Sequence, residues 1–160
     1  MLYNIRLAVE LDAPPAEVYS MYLDPGAHGA ITGSPAEIAA SEGAKFYAFG
    51  RALSGEILHL VPGKRIVQTW RSNVFRKADL DSIVVLTFLP KGRKRTLVDL
   101  QHINVPVQDY AGISRGWEEY YFTPWRKYVV ERNARHRAKP AQGMRPDGAA
   151  AQIIGAAVSS

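Results

Sequence analysis

Cysteine is absent from the 160 residues. That removes disulfides, thiolate metal sites and thiol nucleophiles together, and suits a reducing compartment. Long apolar runs are missing too. The longest, Ala149 to Val158, is interrupted by Gln152 and Gly155 and is too short to cross a bilayer. The chain opens Met-Leu-Tyr-Asn-Ile-Arg, with no basic segment leading into an apolar one, so no signal peptide is expected and a cytoplasmic protein is. The histidines, His28, His59, His102 and His136, are not spaced as metal ligands on a helix or strand. Neither a Gly-x-Ser-x-Gly elbow nor a phosphate loop occurs. The expectation is therefore no metal, no cofactor and no catalytic residue. The one catalytic alternative is an acid–base pair of His102 with Asp99 or Glu118.

What is present is ordinary globular composition, 47% hydrophobic and 22% charged residues, in a length that supports one domain and one core. The net charge of +5 is unevenly placed: residues 1–130 hold 15 basic and 13 acidic side chains, the remaining thirty hold 5 and 2. The basic run Glu131 to Lys139 reads as a solvated helix end whose cations suit the C-terminal dipole, so a nucleic-acid partner is not expected. Residues 1–136 read as the folded domain, and 137–160, rich in Ala, Gly and Pro, as a tail.

Periodicity divides the domain. Ile5, Leu7, Val9 and Leu11 alternate with polar residues as in a strand covered on one face. Pro14 and Pro15 open a helix, with Asp12 or Ala13 near its cap, Glu17 in its first turn and Val18, Met21 and Tyr22 as its buried stripe. Asp24-Pro25-Gly26 ends it, leaving at most a short helix from Ala27 to Thr32 and placing His28 in a loop. Strand-length segments follow near 35–41, 44–50, 52–60, 64–72, 80–89 and 95–105. Their short connections predict a six-stranded antiparallel meander after the first strand. After Pro106 the period lengthens, and Ile113, Trp117, Tyr120, Tyr121, Pro124 and Tyr128 fall on one face of a helix over about 108–136. Pro124 removes a backbone donor and predicts a kink. Only a bent sheet can cover so long an aromatic face. The fold class expected is α+β, a curved antiparallel sheet wrapped around a long C-terminal helix.

Several segments carry a family likeness in the right order. Leu53-Ser54-Gly55-Glu56-Ile57, Leu60-Val61-Pro62-Gly63-Lys64-Arg65-Ile66-Val67, Trp70-Arg71, Leu86-Thr87-Phe88 and Gly116-Trp117-Glu118-Glu119-Tyr120-Tyr121 resemble the family of activators of the 90-kDa heat-shock protein ATPase. Its bacterial relatives belong to the START-like (SRPBCC) helix-grip superfamily. The likeness runs from about Leu11 to Val129 and departs from the pattern at Ile31, where relatives often carry a large aromatic. It implies a helix-grip fold. It also implies two lines of function: co-chaperone contact, as in the eukaryotic member, whose C-terminal half is this type of domain, or a small cavity protein, as in stand-alone members. The separate N-terminal domain of the eukaryotic member is not accommodated in 160 residues.

Strand parity selects the interior. Ile66, Gln68 and Trp70 share a face, as do Val84, Leu86 and Phe88, and Val98, Leu100 and His102. The expected cavity is lined by Phe46, Gln68, Trp70, Leu86, Phe88, Leu100, His102, Trp117, Tyr120 and Tyr121. Gln68 and His102 mark its polar end in one region near a Tyr120 or Tyr121 hydroxyl, because buried polar groups need partners. The expected ligand is a small apolar or aromatic molecule. The alternatives are a chaperone-binding module and an enzyme using His102, and the protein is expected to be a monomer or homodimer.

Overall fold

In a computed structural model, residues 1–138 are described, and the chain divides after Tyr128 into two units, a compact one over Met1–Tyr128 and a second that begins at Val129. The tail expected over 137–160 falls almost wholly outside the described residues. The first unit contains β1 (Leu2–Leu11), α1 (Pro15–Leu23), α2 (Pro25–Thr32), β2 (Lys45–Ala48), β3 (Leu53–Val61), β4 (Arg65–Ser72), β5 (Ser82–Pro90), β6 (Thr96–Pro106), α3 (Val107–Gly116) and a π turn, Trp117–Phe122. It also holds the start of α4 (Thr123–Ala138), and residues 129–138 of the second unit are helical as the rest of α4. No helix among the described residues is long and apolar enough to cross a membrane.

The six strands form one antiparallel curved sheet in the order β1-β6-β5-β4-β3-β2. The meander thus has five strands, and the sixth place belongs to β1, paired to β6 at the far edge. The segment 35–41 is not a strand. Bounded by Pro35 and the turn at Ser41-Glu42-Gly43, it makes a single bridge, Glu37 to Tyr47. Parity works as expected in the central strands. In β4, Ile66, Gln68 and Trp70 are buried; in β5 Val84, Leu86 and Phe88; in β6 Val98, Leu100 and His102. These faces form the core together with Val18, Met21 and Tyr22 of α1 and the aromatic residues after Gly116.

Local details correct several sequence-based expectations. Pro14 caps α1, while Asp12 accepts from Arg95 Nε at 2.8 Å. The second helix is longer than expected because Asp24 caps it, accepting from the Ala27 amide at 2.8 Å, and Pro25 fits its first turn. His28 is therefore helical and buried. The C-terminal rod is broken by the π turn, which ends at Phe122, two residues before Pro124. There the Thr123 amide reaches back five residues to the Glu118 carbonyl. A wide turn beside a proline is one of the recognised forms of helix interruption. The face it buries is Trp117, Tyr121, Phe122 and Trp125, while Tyr120 is 57% exposed.

Candidate functional site

A cavity of about 290 Å³ opens between the β2–β3 hairpin, the ends of β3 and β4, helix α3 and the π turn, close to the size range of small-molecule sites. Five aromatic residues line it: Phe49, Trp70, Trp117, Tyr120 and Tyr121. Trp117 and Tyr121 stand 4.9 Å apart, Trp70 and Trp117 6.5 Å, Phe49 and Tyr120 5.9 Å, and Phe49 and Tyr121 6.1 Å between centroids, so the rings form a nearly continuous wall. Ala52, Leu53, Val74 and Ile113 add aliphatic surface, and Gly112 and Gly116 leave room where side chains would stand. Ser72 and Asp109 are also among the lining residues.

Each wall is held by specific structure. Phe49 sits at φ 52°, a left-handed conformation that is uncommon for a bulky residue. The adjoining turn imposes it: Gly50 and Arg51 also have positive φ, and the Ala52 amide donates to the Phe49 carbonyl at 3.1 Å. Arg51 anchors that turn by stacking 4.0 Å over Tyr47 and pairing with Glu37 at 3.1 Å. Backbone strain of this kind persists only where its surroundings enforce it, and it clusters at binding sites.

Two neutral histidines fix the opposite wall. Trp117 Nε1 donates to His102 Nδ1 at 3.0 Å. Since an indole only donates, Nδ1 is bare and Nε2 carries the proton, which goes to Ser82 Oγ at 2.7 Å; that hydroxyl in turn donates to the Trp70 carbonyl at 2.8 Å. His28 takes the other tautomer. Its Nδ1 donates to the Tyr22 carbonyl at 2.7 Å, and Nε2 accepts the Tyr121 hydroxyl at 2.9 Å. Burial pushes the His102 pKa from 6.5 to about 3 and lowers that of His28; burial likewise raises Tyr121. The π turn is thus tied to the sheet through Trp117 and to α2 through Tyr121.

Of the residues expected to line a cavity, Trp70, Trp117, Tyr120 and Tyr121 do. Phe46, Gln68, Leu86, Phe88, Leu100 and His102 are buried in the core and are not part of this wall. Gln68 and His102 are both fully buried on the inner face of the sheet. Val84 stands between them on β5, and Gln68 accepts the Tyr22 hydroxyl at 2.6 Å. Both ring nitrogens of His102 are engaged, and its expected acid–base partners lie elsewhere: Asp99 pairs with Arg6 at 3.3 Å, and Glu118 approaches Arg126 at 4.0 Å. Sequence reasoning did not place Phe49, Ser72 or Asp109 at the site, and it assigned His28 to a loop, where the structure has it helical and buried. An acid three residues after Pro106 is a readable helix-start signal, but its burial depends on tertiary packing.

Asp109 lies in the first turn of α3, 9% exposed, where the helix dipole favours negative charge. Ser72 Oγ donates to its Oδ2 at 2.5 Å and accepts from the Val74 amide at 3.1 Å. Trp70 Nε1 is a buried donor with no acceptor among the described residues.

The model of the family described as "Activator of Hsp90 ATPase homolog 1-like protein" matches residues 12–129. The chain belongs to this family. Among relatives of the Hsp90-activator family, the human activator of 90 kDa heat shock protein ATPase homolog 1 is 32% identical over 108 residues, covering 68% of this chain and 31% of that protein. A homologue from Dictyostelium discoideum is 29% identical over 115 residues, covering 72% of this chain and 30% of that protein. The chain thus spans about a third of the length of these curated relatives. The fold also matches an HSP90 activator from Plasmodium falciparum, with a TM-score of 0.67 at 20% identity, over 88% of this chain and 96% of that one.

Proposed function

We propose that this activator-family domain binds a small apolar or aromatic molecule in the cavity between hairpin, sheet and π turn. The observation that carries this reading is the cavity itself, about 290 Å³ walled by five aromatic side chains. Three further features support it. Phe49 is held in a strained backbone beside the opening, the wall includes a π turn of the kind frequent at functional sites, and two buried networks hold Trp117 and Tyr121 in place. Such investment in fixed ring positions favours pre-organised binding over a filled core. The test is native mass spectrometry of the gently purified protein, with denatured protein as control. A non-covalent adduct released on unfolding is expected, and it should be lost when Ala52→Trp fills the cavity. Persistence of the adduct in that variant places the ligand elsewhere.

The relatives' names favour a second reading, contact with a 90-kDa heat-shock chaperone. It is tested by adding the domain to such a chaperone and following ATP hydrolysis and complex formation. No complex at tens of micromolar protein would remove it.

A further inference from the structure

The cavity's walls are almost wholly apolar, yet one acidic side chain, Asp109, is built into them. Asp109 is nine-tenths buried, and its carboxylate has two oxygens with about four acceptor sites. Its only side-chain partner is the Ser72 hydroxyl on Oδ2, and it forms no ion pair among the described residues. A buried carboxylate with one hydroxyl and a helix end for company is short of compensating charge, and protein interiors rarely leave such a group in that condition. The same cavity is lined by the rings of Phe49, Trp70, Trp117, Tyr120 and Tyr121, and aromatic faces attract cations within about 6 Å of the ring centre. A carboxylate and an aromatic cage favour the same ligand chemistry.

Resting on the reading of this cavity as a small-molecule site, we propose that its ligand is an organic cation: an ammonium group on an apolar or aromatic body, with Asp109 as the counter-charge. The ammonium sits by the free acceptor sites of Asp109 at the α3 end of the cavity. The hydrocarbon part lies along Leu53, Val74 and Ile113. Gly112 fits this arrangement, because a Cβ there would stand 3.3 Å from Asp109 Oδ1 and crowd the carboxylate. The protein's net charge of +5 opposes cations at long range, but that repulsion is screened within about 10 Å at ordinary salt. Inside the cavity the nearest fixed charge is the carboxylate. A neutral hydroxyl ligand could also donate to Asp109, but it would leave the charge uncompensated and gain little from the rings.

Three probes of nearly equal shape decide between these cases: 2-phenylethylammonium, 2-phenylethanol and phenylacetate. Each is titrated while the indole N–H signals of Trp70 and Trp117 are followed by NMR. Wild-type protein should bind the ammonium at least tenfold more tightly than the alcohol and should reject the carboxylate. Asp109→Asn, which still accepts from Ser72, should equalise ammonium and alcohol. Equal binding of ammonium and alcohol by the wild type overturns the cation assignment and leaves the small-molecule site standing. A preference that survives in Asp109→Asn overturns the role given to that residue. If none of the probes moves either indole signal, the cavity is not a site for molecules of this size and both readings fall. The wild-type ranking decides the cation question even if the variant folds poorly.

Discussion

Trp117 serves two purposes through one side chain: its ring closes the cavity wall, and its indole N–H fixes the tautomer of His102. Trp117→Ala should cost about 3–5 kcal/mol, as truncation of a large buried aromatic does. Trp117→Phe keeps most of the ring but leaves Nδ1 of His102 without a donor, at a cost of about 1–3 kcal/mol. Urea midpoints of the three proteins separate the contributions, and a loss below about 1 kcal/mol for the alanine variant would contradict the packing role. The same histidine makes the protein sensitive to acid. From pH 6.5 down to about 3 the unfolded chain takes up a proton that the folded His102 refuses. Stability therefore rises with pH across that window, is fully present above it, and is lost as pH falls through it. His28, lowered in the same direction by burial, adds to the effect. The slope should approach about 1.4 kcal/mol per pH unit for each ring held neutral. Urea unfolding at pH 7, 5.5 and 4.5 measures it, and His102→Gln should flatten it.

At the scale of elements, two glycines oppose each other in effect. Gly55 packs tightly against β4: a Cβ there would stand 2.0 Å from the Thr69 carbonyl oxygen. Since the obstacle is backbone, Gly55→Ala must spread the strands, and a loss of at least about 1–3 kcal/mol is expected, read as a drop in melting temperature. Gly116 has space, its nearest neighbour to an added Cβ being Tyr120 Cδ2 at 3.6 Å. Gly116→Ala should stabilise the helix by up to about 1 kcal/mol while narrowing the cavity, so melting temperature should rise as ligand affinity falls. A rise in both would show that the space at Gly116 is not used for binding. The elements themselves were largely readable, because burial on one face of β4, β5 and β6 imposes strict alternation. The π turn was not foreseen, although the spacing contained it. Trp117, Tyr121 and Trp125 recur every four residues, and on a 3.6-residue helix each such step drifts by about 40°. The wide turn winds that drift back and keeps all three rings buried. The stripe read at three- and four-residue steps placed Trp117 and Tyr121 in the interior, as found, but also Tyr120, which is exposed, and it omitted Phe122 and Trp125, which are buried.

For the whole molecule, the family likeness and the curved sheet could be recognised from the sequence because both rest on segments of regular period. The cavity was only partly legible. Parity tells which side of a strand a residue faces, but not where along that side the packing stops. Gln68 and His102 were correctly turned inward, and each then found a partner in the core, Tyr22 and Ser82 respectively. The cavity lies farther along, where Phe49 and Asp109 come from a tight turn and a helix start that periodicity does not describe. The pairing of the first strand with the last has a consequence for how the chain acquires this shape. Leu2 meets Pro106 and Leu11 meets Thr96, so one edge of the sheet closes only after most of the chain has been made. Closing so wide a loop is entropically slow compared with forming hairpins. During synthesis β1 must wait, unpaired, while β2 to β5 assemble as successive neighbours. Loop-closure entropy favours its arrival on β6 after the hairpins have formed, and until then the edge of β6 stands open to any other strand within reach.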